Sequence, residues 1–326
     1  MKVVIPVAGL GTRLRPHTHT KPKPLVQVAG QPVLAYILDQ LKELPVDEVI
    51  YIVGHLGGQI EEYVRSRNDF PSRFIVQQEL RGQAHALHLA SDAIDQPILI
   101  IFVDTIVTVD LAALPKTSAD GVLFVKYVDD PRRFGVAVVD DRRVRRLVEK
   151  PKEPVSNLAI VGVYYLKAWQ LFKRALQEVI DRDIQTAGEY YLADALQLMI
   201  DYGANLEVRD VEVWEDCGTL EAILHTNRWM LGSGYRQGHP AVDNSVIVPP
   251  VFIAPTAKVS NSVIGPYASI GDDSVVTGSL VSDSIISDRA VIENAILAES
   301  LIGSRVIVRG RHQRLSIGDD SQVEAT

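Results

Sequence analysis

The sequence is nearly without cysteine. Cys217 is the one cysteine in 326 residues, which excludes an internal disulfide framework and a thiolate zinc site. Long apolar runs are missing too: Val3 to Val7 is broken by Pro6 and falls far short of the roughly 20 residues of a membrane span. Neither a signal peptide nor a transmembrane segment is expected, and the chain reads as cytoplasmic and soluble. It has no excess of base: a net charge of -8 argues against general nucleic-acid binding. The histidines lack metal-ligand spacing, since His85 and His88 stand i, i+3 on one helix and read as solvated or satisfied. What is present, 47% hydrophobic and 23% charged residues, is an ordinary globular composition at a length that favours two domains.

Acids are also absent from one particular stretch. No carboxylate precedes Asp39, whereas Arg13, Arg15, Lys21 and Lys23 lie close together. The apolar run Val3 to Val7 breaks into Gly9-Leu10-Gly11-Thr12-Arg13, which predicts a buried parallel strand delivering a loop whose N–H groups and cations face a polyphosphate. No Lys-Ser or Lys-Thr pair stands in this loop, so it is not a Walker A loop. Leu14 occupies the third glycine site, so it is not a dinucleotide fingerprint either. Gly-Leu-Gly alone would also fit an ordinary turn with solvated cations.

Further along, apolar runs alternate with helix-period segments: helix over 33–44, strand 48–53, helix 59–67, strand 73–77, helix 82–94, strand 97–103. Such spacing predicts right-handed β-α-β units, a parallel sheet, and a site at the carboxyl ends of its strands. Strands of mixed direction follow at 121–128, 135–139, 145–149 and 159–166, then helices at 169–181, 189–202 and 218–231. Gly232 to Pro240 reads as a linker. Beyond it Ile253, Val259, Ile264, Ile270, Val276, Val281, Ile286, Ile292, Leu297, Ile302 and Val308 recur at intervals of five or six, with small residues beside them. This is the period of a left-handed β-helix. A β-sandwich would need alternation within each strand. The stretch Arg309 to Arg314 interrupts the period and reads as a loop or cap before a last coil near Ile317.

The pattern G-x-G-T-R-L-x-P-x-T at residues 9–18, followed by K-P-K-P-L at 21–25 and G-x-P-V-L at 30–34, resembles the signature of the sugar-1-phosphate nucleotidylyltransferases. With its tail, the whole chain looks closest to the long-form glucose-1-phosphate thymidylyltransferases. The resemblance implies an α/β, Rossmann-like mixed-sheet catalytic domain over 1–231, a linker over 232–240 and a left-handed β-helix over 241–326. It implies attack by a sugar 1-phosphate on the α-phosphorus of a nucleoside triphosphate, dTTP or UTP, with Mg²⁺ as the cofactor. By the same resemblance Asp104 and Asp216, the latter in Trp214-Glu215-Asp216-Cys217-Gly218-Thr219, are the metal ligands. Arg13, Lys23 and Lys150 are the catalytic cations. Ala8, Gly9, Gly11, Thr12, Arg13, Gln77 and Gly82 bind nucleotide, and Gly135, Glu149, Lys150 and Val161 bind the sugar phosphate. Taken singly, each aspartate could be a turn or capping residue, Glu149-Lys150-Pro151 a surface turn, and Gly82 a plain turn glycine.

Two positions depart from the family pattern. Val103 and Thr105 flank Asp104 where the family usually has Gly and Asn, and the tail lacks the catalytic histidine of acetylating relatives, its single histidine being His312 in a basic loop. The tail therefore reads as an oligomerisation or regulatory module, giving a homo-oligomer through the β-helix. A non-catalytic sugar-nucleotide sensor with the same fold is the reading from a different class.

Overall fold

The computed structural model describes residues 1–310 and 315–324, so His312 and most of the expected interruption lie outside the described residues. The chain divides into two compact units. One comprises Met1–Gly9 and Ile37–Trp214, the other Leu10–Tyr36 and Glu215–Thr326. The signature loop thus belongs to the same unit as the tail.

The first unit is built on a nine-stranded sheet. Ser72–Val76, Glu48–Val53, Lys2–Pro6 and Ile98–Ile101 run parallel in that spatial order; the inner three are mostly apolar and buried, whereas Arg73 and Val76 on the edge strand are exposed. Leu158–Leu166 is antiparallel to Ile98–Ile101 and to Gly121–Tyr127, and the antiparallel pair Gly135–Asp140 and Arg143–Glu149 closes the far edge. The mixed second half follows the expectation from the sequence. Leu206–Asp210 was not expected as a strand, yet it inserts parallel to Gly121–Tyr127. Its Leu-Glu-Val-Arg-Asp alternates too briefly to stand out, and tertiary pairing decides its conformation.

The helix expected at 82–94 stops at Leu89 and gives way to a 3₁₀ turn, Ser91–Ala93. The one expected at 189–202 is shorter as well. Thr186 and Glu189 pair as a bridge first, and the helix covers Leu192–Asp201. The helix over Trp169–Asp181 matches its expectation and buries Phe172, Ala175, Leu176 and Val179, an i, i+3, i+4, i+7 stripe, on the sheet.

In the second unit the expected coils form. Strands stack parallel into three ladders whose partners lie 15 to 17 residues apart, as in Val251↔Ala268, Ser269↔Ile285 and Leu301↔Ser316. Three faces at five or six residues each give that repeat. Ile270, Ile286 and Ile302 form one inward stack and Val276, Ile292 and Val308 another, all at 1% exposure or less. Corner serines tie the coils together: Ser262, Ser279, Ser284 and Ser300 each donate Oγ–H to a carbonyl in their own coil and accept an N–H from the next. Buried hydroxyls are tolerated here because each is paired. The helix Leu220–Gly232 is capped by Thr219, whose Oγ1 accepts the Ala222 N–H, and it packs within this unit. Gly238 already bridges to Phe252, so pairing with the coils begins inside the expected linker. Among the described residues no helix is long and apolar enough to cross a membrane.

Candidate active site

The parallel half of the sheet sets out the first group of site residues. Val7 N–H donates to the Ile52 carbonyl and Gln77 N–H to the Val53 carbonyl, each at 2.8 Å, which extends neighbouring strands to one rim. Ala8 and Gly9 leave one strand there, Gln77 a second, and Asp104 follows Ile98–Ile101. Gln77 is buried at 5% exposure, with Nε2 donating to the Gly82 carbonyl at 3.4 Å and lying 3.1 Å from His85 Nδ1. Gly82 takes φ +107°, and a Cβ there would stand 2.5 Å from the Tyr190 carbonyl oxygen. The spacing of five between Gln77 and Gly82 is thus held by a glycine that no other residue replaces without strain.

Asp104 is half-buried, and its neighbours pin it to the next strand. Phe102 N–H donates to the Gly162 carbonyl at 2.9 Å and Thr105 Oγ1 to the Val161 carbonyl at 3.3 Å. The departure at Thr105 therefore has a structural use: its hydroxyl joins the aspartate's turn to the Ile160–Gly162 backbone. Glu149 pairs with Gly135 across the hairpin, and a Cβ on Gly135 would lie 2.8 Å from Glu149 Oε2, so a larger residue there would push that carboxylate aside. Burial pushes the Glu149 carboxyl up, Lys150 opposing and Asp194 and Glu189 adding to the rise. Lys150, in the left-handed region at φ +43°, donates from Nζ to Tyr191 Oη at 3.0 Å and lies 5.0 Å from the centre of that ring. The bond to Tyr191 is the main cause of its raised pKa.

The second unit holds the other group. Gly11, at φ +62°, precedes the 3₁₀ turn Thr12–Leu14, and Leu14 N–H donates to its carbonyl at 2.9 Å. Thr12 and Arg13 are exposed on this turn and Lys23 is half-buried. A Cβ on Gly218 would meet Asp216 Oδ1 at 2.8 Å and Arg13 Nη2 at 3.0 Å, so the charged ends of both residues approach the same point beside this glycine. Asp216 Oδ1 accepts the Gly218 N–H at 2.7 Å, which orients an exposed carboxylate. Hard oxygen donors of this kind suit Mg²⁺. Among the described residues no three His, Cys, Asp or Glu side chains gather as a cage, so an ion held by aspartates here would take its other ligands from phosphate and water. Lys21, grouped with the phosphate-facing cations on sequence grounds, donates instead to Ser304 Oγ at 2.8 Å.

Two residues with no role assigned from the sequence stand close to the first group. Tyr191 holds Lys150. Tyr164, buried, has its hydroxyl pKa raised by burial and then by the charges of Glu149 and Asp104, which places both carboxylates around it. Tyr191 lies in Gly188-Glu189-Tyr190-Tyr191-Leu192-Ala193-Asp194, which already carried the resemblance. Tyr164 reads as an ordinary strand residue.

The nucleotidyl transferase family profile matches residues 2–232. A glucose-1-phosphate thymidylyltransferase of Streptomyces antibioticus is 33% identical, with 99% of each chain covered. The UTP–glucose-1-phosphate uridylyltransferase AglF of Haloferax volcanii is 32% identical over 66% of this chain and 89% of its own. The structure of a UDP-glucose pyrophosphorylase complexed with UDP-glucose superposes with a TM-score of 0.61 at 21% identity, covering 71% of this chain and 98% of that one, a likeness of fold.

Proposed function

Because the chain belongs to the nucleotidyl transferase family, we propose that it joins a nucleoside triphosphate, dTTP first, to a sugar 1-phosphate, glucose 1-phosphate first, and releases pyrophosphate. The observation that carries this reading is that Arg13 Nη2 and Asp216 Oδ1 converge beside Gly218, 3.0 and 2.8 Å from where its Cβ would stand. It joins a phosphate-binding cation to a metal-binding carboxylate, a combination that a plain Gly-rich turn has no use for.

In the proposed reaction a phosphate oxygen of the sugar 1-phosphate forms a bond to the α-phosphorus in line with the bond that breaks. The bridging oxygen leaves with pyrophosphate and keeps the electron pair. Arg13 and Lys23 hold the triphosphate and balance its charge, while the N–H groups of the Gly9 to Arg13 loop orient it. Lys150, held in place by Tyr191, binds the incoming phosphate. Glu149 accepts from the sugar hydroxyls, and Gly135 and Val161 shape the backbone around the ring. Gln77 and Gly82 read the base edge, the amide matching the ring N–H and carbonyl that uracil and thymine share. Asp104 and Asp216 would hold Mg²⁺, which when bound neutralises phosphate charge and supplies several kcal/mol of transition-state stabilisation.

UTP is the second reading, favoured by the similarity to the Haloferax volcanii enzyme. Competing dTTP, UTP, ATP, GTP and CTP over a panel of sugar 1-phosphates, with pyrophosphate release as the readout, separates the two. A purine nucleotide preferred over both would overturn the base assignment, and no release with any pair would overturn the enzymatic reading. Direct displacement inverts the configuration of a chiral α-thiotriphosphate, and net retention would exclude it. We also assign self-association to the β-helix, which sedimentation of the intact chain tests.

A further inference from the structure

The stretch that follows the signature turn ends its side chains on the last coils of the β-helix. His17 Nε2 lies 3.3 Å from Ser316 Oγ, Thr20 Oγ1 donates to Asp319 Oδ2 at 2.9 Å, and Lys21 Nζ donates to Ser304 Oγ at 2.8 Å. Gln27 Nε2 reaches both Asp288 carboxylate oxygens, at 2.9 and 3.0 Å. These partners lie 261 to 299 residues away in the chain. A solvated basic loop would have no reason for them. Asp319 has a second task, because its Oδ1 accepts the Ser304 N–H at 2.6 Å and joins one coil to the previous one.

The clamp continues into the turn. Thr18 Oγ1 donates to the Gly11 carbonyl at 2.8 Å, and that carbonyl also takes the Leu14 N–H that opens the Arg13 turn. A Cβ on Gly11 would stand 3.0 Å from Thr18 Cγ2 and 3.1 Å from Lys23 Cβ, so the two ends of the loop are packed on one point.

We propose that Asp319 and the terminal coil are positioning elements for nucleotide binding. They set where Arg13 and Lys23 stand, without touching substrate. This rests on the nucleotidylyl-transfer reading for its kinetic consequence but not for its structural one. The clamp is predicted to act on the triphosphate and to leave the sugar phosphate alone, since Glu149 and Lys150 are held by their own strand pairing.

The test uses the full chain with Thr20→Val, Lys21→Met, Asp319→Ala and Asp319→Asn. The first two leave the coil's own Ser304–Asp319 bond intact and decide the matter even where Asp319→Ala fails to fold. Amide hydrogen exchange should quicken over residues 10–27 while melting stays near that of the parent. Nucleoside triphosphate affinity by calorimetry, and its KM, should weaken on the order of 10-fold, the size of one lost charge-assisted hydrogen bond. The KM for sugar phosphate should stay within about twofold, and Asp319→Asn should recover most of the loss, because its amide oxygen can accept the Ser304 N–H while its NH2 donates to the Thr20 hydroxyl. Unchanged exchange over 10–27 in folded Thr20→Val and Lys21→Met would overturn the clamp, as would equal rises in both KM values. If the parent releases no pyrophosphate with any substrate pair, the activity reading falls, and exchange alone still decides whether the coil orders the loop.

Discussion

The two stretches of this chain proposed to handle anions are held by opposite means. Glu149 ends a hairpin whose register shifts once, between Val144 and Arg146, and then sets Glu149 opposite Gly135, while the Lys150 N–H donates to the Phe134 carbonyl, so their placement follows from backbone pairing nearby in the sequence. The loop with Arg13 and Lys23 has three 3₁₀ turns and one two-residue strand, and it is fixed by side chains that reach coils almost 300 residues away. A register is hard to loosen one side chain at a time. A set of separate hydrogen bonds is not, so the signature loop is the part of the machinery that a distant substitution can reach.

The largest effect expected anywhere is on turnover. Asp104→Asn keeps the shape of the turn and removes a charge that would hold the metal, so kcat should fall on the order of 10²-fold or more with melting unchanged. Removing divalent ions with a chelator should abolish pyrophosphate release, and Mg²⁺ should restore it. A variant as active as the parent at the same Mg²⁺ demand would show that Asp104 is no ligand. Next in size is Gly82→Ala on the register-held side. The new methyl would press on the Tyr190 backbone at a φ that alanine resists, and stability should drop by about 2–3 kcal/mol in denaturant titration. A smaller drop than for an exposed alanine substitution would mean the Gly82 turn is free to shift.

The same contrast explains what could be read from the sequence. The β-helix was legible because each coil repeats its neighbour, so Ile270, Ile286 and Ile302 declare one stack from spacing alone. The parallel strands were legible as apolar runs, and Gly9 to Arg13 as a loop rich in cations after one of them. Thr20 with Asp319 and Lys21 with Ser304 were not, because a hydrogen bond between ordinary polar residues leaves no period and no composition bias. Leu206–Asp210 escaped for a related reason: only its neighbour Gly121–Tyr127 makes it a strand. Asn227 is a third case. It is fully buried, accepts from Ala29 N–H and Ser269 Oγ and donates to the Tyr267 carbonyl, yet reads as one more polar residue in the helix Leu220–Gly232.

On the loop side, acid should expose the dependence on the coils. Burial lowers the pKa of His17 from the ordinary 6.5 to about 4, with Asp319 opposing and Lys21 adding to the fall. The unfolded chain therefore takes up a proton near pH 6.5 that the folded loop refuses until far lower pH. The stability linked to His17 is complete above that range and is lost as pH falls toward 4, by about 2 kcal/mol between pH 7 and pH 5. Denaturant titrations of the parent and of His17→Gln across this window should differ in slope by that amount. Parallel curves would mean that His17 titrates as freely in the folded chain as in the unfolded one.

Tyr191→Phe gives the smallest effect and divides the two stretches most cleanly. The phenyl ring remains under the Lys150 ammonium, at the distance where a cation still gains from the ring face, and only the hydroxyl that accepts from Nζ is lost. A hydrogen bond to a charged but half-solvated group contributes about 1 kcal/mol, so the KM for sugar phosphate should rise about three- to fivefold. The KM for nucleoside triphosphate should not move, because nothing in the Arg13 loop depends on Tyr191 in the way it depends on Asp319. A matching rise in both constants would mean that the two stretches answer to one scaffold after all. No change in either would mean that Lys150 finds its place by strand pairing alone, which would leave the tyrosine a packing residue.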